Sequence, residues 1–399
     1  MSRTDAYEVI ISADALDDVV DILLDEPIYA IDTEFHRERT YYPQLALVQI
    51  AWSDDLVLID PIAVDVAPLA EVFRGPGEAV LHAASQDLEV LELATGTSPA
   101  QMFDTQVAAA FIGMRTPSLA SLHDHFLGKK LPKANRLTDW LARPLEDAQI
   151  RYAASDVEFL LEIKDRIMAE LERLDRVEWA LDECELMRQR GVSVRDPEMA
   201  WLRIKEARSL GQRARTAARE IAKWRELTAQ ERDIPVRHVL PDLGIVALAQ
   251  RPPKRVEDFA KTRGLERRSV SKKDAAALLE VIRDSADLPP PEAQPRRSSG
   301  GPDVRPAVTL IAAWMAQYAE DLKLDPAMLG SRSDIEEFVR GGESRLGEGW
   351  RHDLVGAPMA ALLAGEAAVA FDGDGRVVVE QRSHQPVGDT MGLGPVATE

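Results

Sequence analysis

Residues 28–35 read Ile28-Tyr29-Ala30-Ile31-Asp32-Thr33-Glu34-Phe35, an apolar run that ends in two carboxylates two positions apart. The run predicts a buried β-strand. Because side chains alternate along a strand, Asp32 and Glu34 would point to one face and Thr33 to the other. Two like charges on a half-buried face resist desolvation, and a cation between them would relieve the repulsion. The stretch therefore indicates either a metal site or two surface acids on an edge strand.

The order of strand and helix signals around this stretch predicts an α/β domain followed by helical domains. Strand signals at 7–11, 45–51, 56–60 and 78–82 flank the acidic strand, and helical signals dominate from residue 86 onward. One mixed sheet covered by helices fits this order. Breaker-rich runs at 191–197 and 288–302 divide the chain. The predicted parts are a sheet domain at 1–195, a helical domain at 200–286, a flexible linker at 287–306, a C-terminal helical domain at 307–372 and a mostly disordered tail at 373–399.

The composition is that of a soluble protein that carries one basic region in an acidic chain. The net charge of −20 argues against a generic nucleic-acid coat protein. Between Trp201 and Pro290, however, 20 Lys and Arg face 13 Asp and Glu, an excess of seven positive charges. That region indicates either a polyanion partner or a solvated surface of mixed charge. The single cysteine excludes an internal disulfide, and we expect a cytoplasmic monomer with no membrane contact and no obligate protein partner.

Two further acids and a tyrosine complete a candidate catalytic centre. Asp87 lies where a strand runs into a helix, and Asp156 follows Tyr152 by one helical turn. Each has an ordinary alternative, a helix-start acid for Asp87 and an exposed i,i+4 pair for Tyr152 and Asp156. Together with Asp32 and Glu34, the acids could hold two Mg²⁺ or Mn²⁺ ions about 3.5–4 Å apart for phosphodiester hydrolysis. Tyr152 would orient the attacking water, since a phenol with a pKa of about 10 is a poor base.

The order and spacing of these residues resembles the tyrosine branch of the DEDD superfamily of 3′–5′ exonucleases. Asp32-Thr33-Glu34 matches the first motif of that superfamily, Asp87 the second, and Tyr152-x-x-x-Asp156 the third. The match narrows to the ribonuclease D family through residues 32–50, 82–90 and 103–106, and through Thr138-Asp139-Trp140-Leu141-Ala142-Arg143-Pro144-Leu145.

The later domains resemble the same family. Residues 231–242 look like an HRDC domain, a helical module that ribonuclease D shares with RecQ helicases, and residues 332–339 and 349–354 look like the family's C-terminal, HRDC-like domain. The resemblance implies a ribonuclease H-like sheet domain with two all-α domains behind it. It also implies a metal-dependent 3′–5′ exoribonuclease that releases nucleoside 5′-monophosphates, with trimming of tRNA-precursor 3′ ends as its task.

Several other side chains are candidates for contact with nucleic acid. Phe35 could stack on a terminal base, although burial in the core is the alternative. Basic residues before Trp140 could neutralise phosphates near the acids, or form a solvated loop. The nucleic-acid candidates are Thr33, Phe35, Lys133, Arg136 and Trp140, with Lys129 and Lys130 in the same basic loop. His82 lies near Asp87, and because hard cations prefer oxygen, we expect it to make a structural hydrogen bond.

Two other functions fit the same residues. A 3′–5′ DNA exonuclease acting in repair would use the same metal site, and HRDC modules also occur in DNA helicases. A catalytically silent RNA-binding adaptor would keep the fold without turnover, which the intact set of five catalytic residues disfavours. The rate on RNA against matched DNA, and the effect of Asp32→Asn, separate the three.

Overall fold

The computed structural model describes residues 7–53, 55–131, 138–190, 196–265, 270–291 and 303–383. The chain divides into two compact units. The first comprises residues 1–105, 122–165 and 184–299, and the second comprises residues 106–121, 166–183 and 300–399. No helix in the described ranges combines the length and apolar composition needed to span a bilayer.

The acidic stretch forms a central strand of a mixed sheet in the first unit. The strands of this sheet are β1 (Glu8–Ile10), β2 (Ile28–His36), β3 (Gln44–Ala51), β4 (Leu56–Ile59), β5 (Glu78–Leu81) and β6 (Met102–Asp104), in the order β1-β4-β3-β2-β5-β6. The β2–β3 and β3–β4 pairs are antiparallel, whereas β1–β4, β2–β5 and β5–β6 are parallel. Tyr29, Ala30 and Ile31 of β2 are fully buried, which explains the apolar run before Asp32.

Helices cover the sheet because each carries an apolar stripe. In α1, for example, Leu16, Val19, Val20 and Leu23 recur at helical spacing and are buried in the sheet's core. The helices up to residue 190 are α1 (Ala13–Asp25), α2 (Leu69–Arg74), α3 (Ser85–Thr95), α4 (Thr105–Ala110), α5 (Leu119–Leu127), α6 (Asp147–Val157), α7 (Leu160–Leu174) and α8 (Val177–Arg190).

The basic region forms a helical module around one long helix of the first unit. Its helices are α9 (Gln212–Arg232), α10 (Val236–Val239), α11 (Asp242–Gln250) and α12 (Lys272–Asp284), with short 3₁₀ helices at Pro197–Arg203, Ala207–Ser209, Val256–Lys261 and Ser285–Asp287. Ile221 and Ala222 of α9 pack in one core with Ile245 and Leu278. The Arg225 guanidinium is buried and donates to the Leu240 carbonyl and to Asp242, which ties α9 to the start of α11.

The C-terminal region, in the second unit, is helical and then ends in a hairpin. Its elements are α13 (Arg305–Leu322), α14 (Pro326–Leu329), α15 (Arg332–Val339), α16 (Gly349–Arg351), a π-helical turn (His352–Gly356), α17 (Ala357–Ala364), β7 (Ala367–Phe371) and β8 (Val377–Gln381). Trp350 packs edge-on against Phe111 and stacks on Trp179, with ring centroids 5.3 Å and 5.5 Å away.

The predicted α/β class and the helical regions behind the sheet are confirmed, with three differences. The strand β6 interrupts the region predicted as helical from residue 86 onward, and its three residues show no alternation of apolar and polar side chains. After residue 146 the helical signals correspond to three separate helices, α6 to α8. The prediction of a purely helical C-terminal domain ending at 372 is wrong, because β8 pairs with β7 beyond that point.

The hairpin has a local cause that the sequence contains. The carboxylate of Asp372 accepts the backbone N–H groups of Asp374 and Arg376, which closes the turn between the two strands. Most of the predicted linker, most of the predicted tail and most of the 191–197 breaker run lie outside the described residues.

Candidate active site

Strand β2 presents the first two acids beside the middle of the sheet. Asp32 lies opposite Gln49 of β3, and Glu34 lies opposite Leu47. Both carboxylates are half-buried. Directly after Glu34 the ladder shifts register, so that Phe35 lies opposite Leu45. The acids therefore lie next to an irregularity in the sheet, a feature that re-aims side chains near functional sites.

Helix α3 brings Asp87 to these acids. Asp87 lies in the first turn of α3 and accepts a hydrogen bond of 2.5 Å from the hydroxyl of Thr33. The start of α3 is in turn held by Asp104 at the end of β6, whose carboxylate accepts the N–H groups of Ala83 and Ala84. Asp104 is fully buried. Nothing in the sequence alone indicates this role for Asp104, although it lies in a segment, 103–106, that carries the family resemblance.

His82 has a structural role beside Asp87, as expected. Its Nδ1 lies 2.9 Å from the hydroxyl of Thr105, and that hydroxyl donates to the carbonyl of Leu81. A hydroxyl has one proton to donate, so Nδ1 of His82 is the donor in the first bond. The ring thus joins the end of β5 to the start of α4.

Helix α6 brings Tyr152 and Asp156 to the same place. The helix packs against β2, β3 and β4. It begins with a capping box between Glu146 and Gln149. Tyr152 and Asp156 lie one helical turn apart on the shared face that the i,i+4 spacing predicts, and the Tyr152 side chain lowers the pKa of the Asp156 carboxyl against the effect of burial. The ring of Trp140 lies 6.1 Å from the ring of Tyr152, tilted by 38°.

Burial and the charges of Asp87 and Asp156 raise the pKa of both carboxyl groups on β2, those of Asp32 and Glu34. Burial is the largest cause for Asp32, and the charges of Asp87, Asp156 and Glu34 add to it, so its pKa lies well above the ordinary value. Burial and then the charges of Asp156 and Asp87 raise the pKa of Glu34 to about 8. Burial raises the pKa of Asp156 to about 7 and that of Asp87 to about 6, despite the opposing effects of the Tyr152 and Thr33 side chains.

The same electrostatics keep Tyr152 protonated. Burial and the charges of Asp156, Glu34 and Asp32 raise the pKa of its phenol above the ordinary value of 10. A phenol in that state is a hydrogen-bond donor and not a base. This agrees with the expectation that Tyr152 orients a water molecule.

Four carboxylates that repel one another suit hard divalent cations by donor chemistry. In the described part of the chain, however, no three His, Cys, Asp or Glu side chains are grouped closely enough to grip an ion. The hydrogen bond from Thr33 to Asp87 is a contact with which an ion would compete. The oxygen ligands are of the type that a hard divalent cation prefers, and they come from elements that meet at one place. Binding of the cation would draw the carboxylates together.

The candidates for nucleic-acid contact differ in how exposed their side chains are. Thr33 is buried with its hydroxyl bonded to Asp87, whereas Phe35 and Trp140 are half-exposed. The guanidinium of Arg37 lies 5.2 Å from the ring centroid of Phe35. Lys129 lies over the ring of Phe159, 3.4 Å from its centroid. Lys133 and Arg136 fall outside the described residues.

The helical module contacts the loop between β2 and β3, close to the acids. Asp233, at the end of α9, accepts the backbone N–H groups of Tyr41 and Tyr42 at 3.0 and 3.1 Å. The hydroxyl of Tyr41 donates to Glu226 and accepts from Gln230. A groove of about 160 Å³ beside this contact, here called the junction groove, is lined by Arg37, Thr40, Tyr41, Pro43, Glu89, Pro235, Val236 and Arg237.

Comparisons with known proteins identify the family to which this fold belongs. A family model described as 3′–5′ exonuclease matches residues 7–172, and the HRDC domain model matches residues 214–282. The chain is 35% identical to ribonuclease D of Gluconacetobacter diazotrophicus, across 92% of this chain and 95% of that protein. It is 37% identical to ribonuclease D of Jannaschia sp., across 89% of this chain and 95% of that protein.

Among solved structures, Escherichia coli RNase D matches with a TM-score of 0.83 and 33% identity, covering 90% of this chain and 99% of that one. The resemblance found from the motifs is therefore confirmed over nearly the whole length. The chain belongs to the ribonuclease D family and is a 3′–5′ exoribonuclease.

Proposed function

We propose that this enzyme trims the 3′ ends of tRNA precursors in the cytoplasm, releasing nucleoside 5′-monophosphates by hydrolysis that depends on two divalent cations. The observation that carries the proposal is the set of four buried or half-buried carboxylates on β2, α3 and α6, in which burial and the charges of Asp87 and Asp156 raise the pKa of Asp32 and Glu34. Such mutual repulsion is unfavourable unless cations neutralise it, and phosphodiester hydrolysis is the chemistry that two such ions perform.

The proposed metal ligands are Asp32, Glu34, Asp87 and Asp156, and the ions would be Mg²⁺ or Mn²⁺. Bound there, they would supply a water of lowered pKa and positive charge opposite the leaving oxygen. Tyr152 keeps its proton and donates it in a hydrogen bond, so its part is to orient the attacking water. Thr33 holds Asp87 through its hydroxyl, which fixes one carboxylate oxygen relative to β2.

RNA would approach this centre past side chains that suit bases and phosphates. Phe35 and Trp140 offer half-exposed rings for stacking, and we propose Lys133 and Arg136 as contacts for phosphates. Arg37 and Arg237 of the junction groove continue this path toward the basic helical module. The excess positive charge of residues 201–290 supports RNA contact there. The E. coli relative is described as an exoribonuclease involved in structured RNA processing, which supports tRNA precursors as substrates.

The proposed domain organisation is a nuclease domain at 1–195, an HRDC domain at 200–286 and a linker at 287–306. A C-terminal domain would run from 307 through the hairpin that ends at Gln381. The family-model matches at 7–172 and 214–282 lie inside the first two and support them. We take the protein as a monomer.

The test uses a 5′-labelled tRNA precursor and a DNA oligonucleotide of matched sequence, each incubated with Mg²⁺, Mn²⁺ or a chelator. We expect stepwise shortening of the RNA from its 3′ end with either ion, and none with the chelator. Faster cleavage of the DNA would make the enzyme a DNA exonuclease instead. Equal shortening in chelator would refute the metal-dependent mechanism.

The variant Asp32→Asn tests the carboxylate centre at little change in shape. We expect turnover to fall at least about 10³-fold, as when a group needed for the transition state is removed, while RNA affinity in chelator stays within twofold. Asp21→Asn, an exposed acid on α1, is the matched control and should keep full turnover. Normal turnover in Asp32→Asn would contradict the proposed site.

A further inference from the structure

Arg143 lies in the segment 138–145, ahead of α6, and all five of its guanidinium N–H groups are used. Nε and Nη2 donate to the two carboxylate oxygens of Asp60 at 2.5 and 2.7 Å. Nη1 donates to the carbonyls of Trp140 and Ala142 at 2.8 and 2.9 Å, and Nη2 also donates to the carbonyl of Ala46 at 2.7 Å. Arginine is the side chain with this many donors in a fixed fork, so a lysine could not reproduce the set.

One of these acceptors lies where the sheet is irregular beside a proposed metal ligand. Glu34 lies opposite Leu47 and Phe35 opposite Leu45, so Ala46 has no residue opposite it in the β2–β3 ladder. A carbonyl released from a ladder needs another donor when it is buried. Arg143 donates to the carbonyl of this unpaired residue, so the guanidinium contacts the backbone of β3 directly beside the register shift.

A second acceptor lies beside the proposed water-orienting residue. Arg143 holds the backbone carbonyl of Trp140, and the indole of Trp140 packs on the ring of Tyr152. One guanidinium therefore connects the sheet at Glu34 with the residue that supports Tyr152. Among the described residues, no hydrogen bond joins Glu34 directly to Tyr152.

The third partner anchors the guanidinium itself. Asp60 follows β4, is 5% exposed, and also accepts the N–H of Ile62. Burial alone would raise its pKa, yet the hydrogen bonds from Arg143 and Ile62 outweigh burial and lower it. Asp60 is thus ionised, and the bidentate bond to Arg143 is of the strong, charge-assisted kind.

We propose that Arg143 is a positioning residue for the exonuclease reaction, which sets the Glu34 carboxylate relative to the Tyr152 phenol through Ala46, Trp140 and Asp60. The inference rests on the proposed roles of Glu34 and Tyr152. Its consequence is kinetic. Small misplacement of reacting groups lowers turnover by one to two orders of magnitude, whereas RNA bound along the rest of its path is held as before.

The test compares Arg143→Lys and Asp60→Asn with wild type in the full-length chain. Arg143→Lys keeps the charge and removes the fork, and Asp60→Asn keeps the shape and removes the charge. The readouts are kcat and KM on end-labelled RNA with Mg²⁺, and the Kd for the same RNA in chelator. We expect kcat to fall about tenfold or more in both variants, with KM and Kd within twofold of wild type. Arg173→Lys, in an exposed ion pair with Glu170, is the matched control and should match wild type.

A cycle with Tyr152→Phe separates positioning from general loss of structure. Because Arg143 is proposed to act on both Glu34 and Tyr152, the loss of kcat in Arg143→Lys/Tyr152→Phe should be clearly smaller than the product of the two single losses, whereas independent losses would multiply. Losses of kcat that multiply in the double variant would overturn the proposal. A kcat within twofold of wild type in both Arg143→Lys and Asp60→Asn would also overturn it, as would a tenfold rise in their Kd with kcat unchanged.

Folding is checked by the unfolding temperature of each variant. Should Arg143→Lys fail to fold, Asp60→Asn decides the question, and failure of both to fold would make the cluster structural and overturn the inference. The proposed function is judged separately, by wild type. A wild type that does not shorten RNA refutes the function, whereas an active wild type with unaffected variants refutes the positioning role alone.

Discussion

The ion pair between Arg351 and Glu183 offers a sharp test of what stabilises the second unit. Arg351 is 4% exposed and Glu183 is 9% exposed. Nε of Arg351 also donates to the carbonyl of Met328 at 2.8 Å, and the guanidinium lies 4.3 Å from the Trp350 ring centroid. Its Nη2, however, has no hydrogen-bond partner in the described part of the chain. Each charge therefore depends on the other for its compensation.

Truncating one member should leave the other charge buried and uncompensated. We expect Arg351→Met to lower the free energy of unfolding by about 3–5 kcal/mol, the range found when a buried pair is broken. The double variant Arg351→Met/Glu183→Leu removes both charges, and it should lie within about 1–2 kcal/mol of wild type, because the desolvation penalty also disappears. The two effects therefore should not add.

Urea unfolding followed by tryptophan fluorescence measures this, since Trp350 and Trp179 are stacked next to the pair. The control is Arg173→Gln in the exposed pair with Glu170, whose side chains are 64% and 44% exposed. That control should change stability by less than about 1 kcal/mol. If Arg351→Met is no more destabilising than Arg173→Gln, the reasoning about buried charge in this unit is refuted.

Two further predictions concern stability. His123 is 1% exposed, and its pKa is lowered to about 4, first by burial and then by the charges of Lys129 and His82. The unfolded chain takes up a proton at His123 near pH 6.5 and the folded chain only near pH 4, so the contribution of His123 to stability should fall as pH drops from about 6.5 to 4. Wild type should therefore lose stability relative to His123→Leu over that range in unfolding measured against pH, and a constant difference between the two would contradict the assignment. Tyr41→Phe removes the hydroxyl that bonds to Glu226 and Gln230, so urea unfolding should show a loss of about 1 kcal/mol, with no loss counting against the α9 contact.

The placement of the HRDC domain bears on how the nuclease centre is built. The loop that Asp233 and Glu226 hold begins directly after β2, the strand that carries Asp32 and Glu34. A helical module that is remote in sequence thus restrains the backbone next to two of the four acids. The domain therefore supports strand β2 and the two proposed metal ligands that it carries.

The sequence by itself determined the chemistry and the class of fold. An apolar run before Asp32 predicted the central strand, and the spacing of Tyr152 and Asp156 predicted their shared helical face, because both follow from the local periodicities of strand and helix. The motifs were sufficient to identify the ribonuclease D family. Local periodicity did not predict β6, whose three residues show no alternation. It also did not predict the β7–β8 hairpin, which depends on a turn.

Only the tertiary structure decided which residues support the acids. Thr33, a candidate for contact with nucleic acid, also bonds to Asp87, 54 positions away. Asp104 holds the start of α3, and Arg143 reaches Ala46 across 97 positions of sequence. A hydrogen bond between distant residues leaves no periodic signal in a single chain, because its geometry is set by how strands and helices pack. The acidic residues can therefore be predicted from the sequence, whereas the hydrogen bonds that orient their side chains cannot.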